Sequence, residues 1–170
     1  MTALGLPPAL RLTLRSGTVY YFEHRKLSSG EPHFFAIINA DPQSSKVLIM
    51  AVGSSQVEKV RERRRSFPAA TLVIVDPGTY ADFSKETVFD CNQVFELGAD
   101  ELVQKFTAGD LRHHKDLPQD VLERIWNGCV QNWRVTRSRL SSAIPSDRLT
   151  MMFFPFGSRA PLYTGIGWKV

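Results

Sequence analysis

Residues 33–52, HFFAIINADPQSSKVLIMAV, decide how this chain folds. Two apolar runs of strand length flank the polar segment DPQSSK, and both runs are rich in β-branched and aromatic residues. Runs of this length, bounded by turn-forming residues, are typical of buried β-strands. The stretch therefore predicts a central β-hairpin, with His33 at the start of its first strand and Ser54 and Ser55 just past the end of its second.

Shorter patterns predict further elements on both sides of this hairpin. The expected strands are a weak one at 9–15, TVYYFE at 18–23, TLVIV at 71–75, and one or two within 87–97. Helices are expected at 56–65, 99–106 and 117–133, and the last carries an apolar stripe at helical spacing. Ser54 or Ser55 is expected to cap the first of these helices. The pattern predicts a β-rich α+β domain.

Composition narrows the class of protein. At 170 residues, the chain is long enough for one domain with its own core. Cys91 and Cys129 have neither disulfide-framework nor metal-ligand spacing, so we expect buried free thiols. The sequence shows no convincing signal peptide and no membrane-spanning run of about 18 apolar residues. We therefore expect a cytoplasmic protein without a membrane partner, a metal or another cofactor.

The positive charge is unevenly distributed. The net charge is +4, and residues 134–170 hold the excess because Asp147 is their single acidic residue. We predict a domain at 1–133 and a basic extension at 134–170. Such an extension can attract phosphate without regard to sequence, or it can be a solvated segment that binds nothing.

Two groups of polar residues are candidates for a functional site. His33 begins a strand that is otherwise apolar, where an imidazole can act as a general acid or base or can simply end the strand. The second group is the cluster Arg61, Arg63, Arg64 and Arg65. These guanidinium groups suit phosphate contacts, or they form a solvated helix face. His113 and His114 are expected to be exposed in a loop.

The order of elements resembles that of the MazF/PemK-type toxins of bacterial toxin–antitoxin systems. The similar segments are GTVY (17–20), PHFFAIIN (32–39), VLIMAVGSS (47–55) and FSKETVFDCNQVFEL (83–97), followed by a helix at 117–133. The resemblance covers about residues 15–133. It implies a small SH3-like β-barrel with a closing C-terminal helix.

The resemblance also implies a function and a site. Active members of the family are metal-independent endoribonucleases that form dimers and are blocked by an antitoxin. They commonly use an Arg before the Pro, a Ser or Thr after the second core strand, and charged residues near the Cys-bearing strand. Here Ser54 or Ser55 matches the second position, Glu31 replaces the Arg, and Asp90 and Asn92 flank Cys91. His33, with Arg61 or Arg63 holding the phosphate, is the hypothesis for the chemistry.

Three functions remain open at this point. The chain is a divergent toxin that binds RNA and cleaves it, the same barrel used as a non-catalytic module, or an unrelated small β-barrel domain with no nucleic-acid role. Such a module would bind protein or nucleic acid through residues 61–65 and the basic extension. RNA, an antitoxin-like protein and a second copy of the chain are the expected partners of the first.

Overall fold

A computed structural model describes residues 5–27 and 30–139, with side chains described up to residue 132. Within these residues, six strands and four α-helices form the fold. The strands are β1 (Thr18–Phe22), β2 (His33–Ile37), β3 (Val47–Ser54), β4 (Leu72–Val75), β5 (Thr87–Gly98) and β6 (Arg112–Asp116). The helices are α1 (Pro8–Thr13), α2 (Val57–Arg63), α3 (Ala99–Ala108) and α4 (Gln119–Arg139), with a 3₁₀ turn at Ala69–Thr71.

The strands form one antiparallel sheet in the order β4-β5-β3-β2-β1-β6, curled into a half-barrel. This confirms the predicted β-rich α+β class. The predicted hairpin is its centre, since β2 pairs with β3 and Phe35 lies opposite Val52. The buried side chain of Asn39 joins the two strands: its amide donates to the Val47 carbonyl at 3.1 Å and its oxygen accepts from the Ile49 amide at 2.6 Å.

Both faces of the sheet are buried, which explains why its central strands are apolar throughout. Along β2, Phe35 and Ile37 belong to a core shared with α1 and α3. Ala36 belongs to a second core, closed by α4. In an extended strand successive side chains point to opposite faces, so a strand covered on both sides needs no polar alternation.

The prediction of a weak strand at 9–15 is wrong, because this segment contains most of α1. Leu10 and Leu14 are fully buried, whereas Leu12 is 77% exposed. Leucines four positions apart lie on one face of a helix, so the pattern fitted both structures. Pro8 stands in the first turn of the helix, where its missing N–H removes no hydrogen bond.

Helix α4 packs against β5 and the 3₁₀ turn through Gly128. A Cβ at this position would lie 2.8 Å from Cys91 Sγ and 2.9 Å from the Ala70 carbonyl oxygen. Cys91 and Cys129 are buried free thiols, as predicted. The hydrogen bond to Cys129, together with burial, raises the pKa of Cys91. Glycine at position 128 lets α4 lie closer to β5 and the 3₁₀ turn than a residue with a Cβ would.

The domain boundary and the basic extension predicted from the sequence lie at the end of the described residues or past it. The boundary expected at residue 133 falls within α4, which continues to Arg139, and residues 140–170 of the basic extension lie outside the described part. No helix among the described residues is both long and apolar enough to cross a bilayer.

Candidate functional site

Three of the predicted site residues, His33, Ser54 and Ser55, lie at one end of the central sheet. β2 begins at His33, and β3 ends at Ser54. The antiparallel register pairs Phe34 with Gly53, so the next position along each strand sets Ser54 beside His33. These two residues and Ser55 line a groove of about 320 Å³, here called the hairpin groove.

Two charged residues from loops far apart in the sequence also line this groove. Glu31 comes from the loop before β2, and Lys85 comes from the loop before β5. Both are exposed. Lys85 was not predicted as a site residue, because an isolated lysine in a polar loop belongs to no recognisable sequence pattern. Only the pairing of β3 with β5, which sets Ser54 opposite Val88, brings that loop to the groove.

Ser54 has a local role that leaves its hydroxyl proton available. Its Oγ accepts the Gln56 amide at 3.2 Å. Gln56 is the N-cap residue of α2, and no side chain caps this helix. The serine cap expected from the sequence is therefore not formed. Because Ser54 acts only as an acceptor in this bond, its O–H can still donate to a ligand.

Packed aromatic rings hold the groove in shape. The Phe34 ring contacts Tyr21 at a centroid distance of 4.8 Å and Phe83 at 5.1 Å, and all three residues line the groove. Beneath them, Gly53 lets β3 approach β5, since a Cβ there would lie 3.0 Å from the Thr87 methyl carbon. Side chains held in this way need little reorganisation when a ligand binds.

A His–Asp pair contacts these rings. His114 lies on β6, and its Nδ1 is 3.2 Å from Asp82 Oδ2. Its ring meets Phe34 edge-on at 5.1 Å. The Lys115 backbone amide, and secondly His114, lower the pKa of Asp82. The exposed loop expected for His113 and His114 is thus wrong in part: both belong to a strand and His114 is partly buried, whereas His113 is exposed as predicted.

Each residue of the predicted arginine cluster has a carboxylate partner. On α2, Arg61 pairs with Glu58, and beyond its end Arg65 pairs with Glu62 at 3.1 Å. Both pairs are exposed, whereas the Arg64 Nε bonds the buried Asp90 at 2.8 Å and Arg63 lies 3.7 Å from the same carboxylate. None of the four arginines is among the residues that line the hairpin groove. Their contact with nucleic acid stays a prediction.

Within the described residues, no three His, Cys, Asp or Glu side chains are grouped so as to hold a metal ion. The hairpin groove can offer the chemistry of an imidazole, a carboxylate, an ammonium group and several hydroxyls, among them those of Ser54 and Ser55. These groups can exchange protons and bind an anion.

Two solved structures share features of this fold. One is an endoribonuclease in complex with its cognate antitoxin from a mycobacterial species, with 10% sequence identity and a TM-score of 0.44. The similarity covers 78% of this chain and 98% of that one. The other is the MazE–MazF complex from Deinococcus radiodurans, with 10% identity, a TM-score of 0.46, and 77% and 99% of the two chains covered. No family model and no curated protein matches the sequence.

Proposed function

We propose that this protein is a MazF/PemK-like toxin whose hairpin groove binds single-stranded RNA and cleaves it without a metal ion. One observation carries the proposal: His33, Ser54 and Ser55 line a single groove, and Lys85 adds a cation there. The two serines match the position that the family resemblance assigns to a Ser or Thr, and His33 is the strand-start histidine expected to carry the chemistry. The groove is open to a polymer because it lies at the strand ends rather than inside the fold.

The proposed reaction is an internal transfer at phosphorus. The ribose 2′-oxygen attacks the adjacent phosphorus, a P–O bond to the 2′-oxygen forms, and the P–O bond to the 5′-oxygen of the next nucleotide breaks. The products are a 2′,3′-cyclic phosphate and a 5′-hydroxyl. A base must accept the 2′-hydroxyl proton, an acid must give a proton to the departing 5′-oxygen, and a cation must stabilise the charged phosphate.

The groove residues divide into these roles. The Glu31 carboxylate is proposed to accept the 2′-hydroxyl proton, and the His33 imidazolium to protonate the 5′-oxygen. The Lys85 ammonium and the Ser54 hydroxyl donate to the phosphate oxygens. Lys85 thus supplies the positive charge that the resembled toxins place before the proline, where this chain has Glu31.

Cleavage by single-residue variants tests this division of roles. Glu31→Gln should slow cleavage of single-stranded RNA by about 10²–10⁴-fold, which is the usual contribution of general base catalysis. Lys85→Ala should slow it by about 10²-fold, since one electrostatic contact to the transition state is lost. Lys59→Ala, an exposed lysine of α2 that does not line the groove, serves as the matched control.

Two results would contradict the assignment. Full activity of Glu31→Gln or Lys85→Ala would exclude the role given to that residue. RNA that is bound but left intact by the unaltered protein would contradict cleavage and favour the non-catalytic module.

The cellular part of the proposal concerns partners. We expect the protein to act in the cytoplasm, to form a homodimer, and to be neutralised by an antitoxin-like protein. Expression alone should arrest bacterial growth with fragmentation of total RNA, and light scattering should give twice the chain mass of 19.2 kDa. Normal growth with intact RNA from a folded, soluble product would contradict the toxin.

A further inference from the structure

A second groove of about 300 Å³ adjoins the hairpin groove and has no part in the cleavage proposed above. We call it the side groove. It shares Tyr21 and Pro32 with the hairpin groove, and these two residues form the ridge between them. A chain that crosses this ridge would occupy both grooves at once.

The two grooves open at the same end of the sheet. β6 begins at Arg112, which lies opposite Tyr21 near the end of β1. From there the strand order β6-β1-β2-β3-β5 leads to the loop that carries Lys85. Four strand spacings of about 4.8 Å span about 19 Å. This is the scale of the shortest single-strand binding sites, which take about four nucleotides.

The side groove combines cations with aromatic rings. The guanidinium carbon of Arg112 lies 5.9 Å from the centre of the Tyr21 ring. Lys105 Nζ lies 5.5 Å from the centre of the Phe22 ring and donates to the Glu23 carbonyl oxygen at 3.0 Å. An ammonium group has three donors, so Lys105 can still donate to a phosphate. Rings and guanidinium planes are also the surfaces on which RNA bases stack.

Two carboxylates in the side groove restrict what it can hold. Glu23 and Asp110 line it together with Lys105 and Arg112, so the charges balance and a bare anion would gain little. A nucleotide fits this mixture better, because its phosphate can meet the cations while an amino group of its base donates to a carboxylate. Carboxylates accept hydrogen bonds from the amino group of cytosine, and uracil has no such group.

We infer that the side groove binds the nucleotide next to the cleaved phosphate and prefers a base with an exocyclic amino group, such as cytosine, to uracil. This inference rests on the proposed function. Its phosphate contacts are Lys105 and Arg112, and its base contacts are Asp110 and Glu23. Tyr21 separates this nucleotide from the one that reacts.

Binding of uncleavable RNA tests the inference separately from cleavage. Short 2′-O-methyl oligocytidine and oligouridine cannot be cut, because the attacking oxygen is blocked, and fluorescence anisotropy measures their affinity. The full chain should bind oligocytidine about tenfold more tightly than oligouridine, the size of one base contact. Asp110→Asn combined with Glu23→Gln should reduce that preference.

The salt dependence identifies the phosphate contacts. Arg112→Ala should weaken the binding of both oligomers. It should also make the plot of log affinity against log salt concentration less steep by about 0.7, the value for one phosphate of a single strand. Lys59→Ala should change neither. If Arg112→Ala and Lys105→Ala leave the affinity and the salt slope unaltered while Lys85→Ala weakens binding, nucleotide binding by the side groove is overturned and the proposed function is not. Failure of the unaltered chain to bind either oligomer would overturn the proposed function as well.

Discussion

The buried ion pair between Arg64 and Asp90 gives a prediction that separates stability from RNA binding. The Asp90 side chain is 6% exposed and that of Arg64 is 18% exposed. Asp90 also accepts the Asn92 backbone amide at 3.0 Å and the Asn92 side-chain amide at 2.9 Å. Replacing Asp90 with Ala would leave a largely buried guanidinium and two amide groups without this acceptor.

The expected cost follows from this burial. Removing one partner of a fully buried pair costs about 3–5 kcal/mol. Since Arg64 keeps some contact with water, the lower end applies, and Asp90→Ala should lower the free energy of unfolding by about 3 kcal/mol. Arg61→Ala breaks only an exposed pair with Glu58 and should cost about 0.5 kcal/mol or less.

Urea unfolding of these variants measures both values. The double variant Asp90→Ala/Arg64→Ala should recover part of the loss, because the unpaired charge is then absent. If Asp90→Ala proved as stable as Arg61→Ala, the network around Asp90 would not be the structural element described here. A stable Arg61→Ala protein with weakened RNA affinity would support the phosphate contacts predicted from the sequence. A variant of Arg64 cannot test these contacts, because it also breaks the ion pair with the buried Asp90.

Two further predictions concern stability. Gly128→Ala should lower the free energy of unfolding by about 1–3 kcal/mol, because overlap with Cys91 and the Ala70 carbonyl outweighs the better helix propensity of alanine; thermal denaturation should show this against Asn127→Ala, an exposed α4 position, and a stabilised Gly128→Ala would contradict the close approach. Burial lowers the pKa of His24, whose Nδ1 accepts the Lys26 amide while Nε2–H donates to the Glu96 carbonyl. The folded state thus favours the neutral ring of His24. The stabilisation that this gives is present above the pKa of about 6.5 in the unfolded chain, and it is lost as the pH falls through the lower pKa of the folded state. Urea unfolding at about pH 7.5 and pH 5 should show a smaller pH effect for His24→Gln, and an equal effect in both proteins would refute it.

The sequence predicted the elements whose burial leaves a strong apolar pattern. The central hairpin and α4 were found because long runs of their side chains enter the two cores. β6 was missed because RHHKD is a polar strand at the edge of the sheet, with no apolar signal to reveal it. α1 was assigned to a strand because leucines at every second position include a pair four apart.

The candidate site was predictable where it coincides with strand ends. His33, Ser54 and Ser55 follow from the limits of β2 and β3, and their meeting follows from hairpin pairing. Lys85 and Arg112 depend on the register of β5 and β6, which connects residues far apart in the chain. The partner of Arg64 was equally hidden, since Asp90 lies 26 residues away.

The chemical ends of the RNA fragments show whether the hairpin groove cleaves RNA by the proposed reaction. The purified full chain is incubated with single-stranded RNA in excess EDTA, and the fragments are analysed by mass spectrometry beside those from His33→Ala and Lys59→Ala. We expect 2′,3′-cyclic phosphate and 5′-hydroxyl ends from the unaltered protein and from Lys59→Ala, and almost none from His33→Ala. Intact RNA, 3′-hydroxyl ends, or undiminished cleavage by His33→Ala would contradict the proposed reaction.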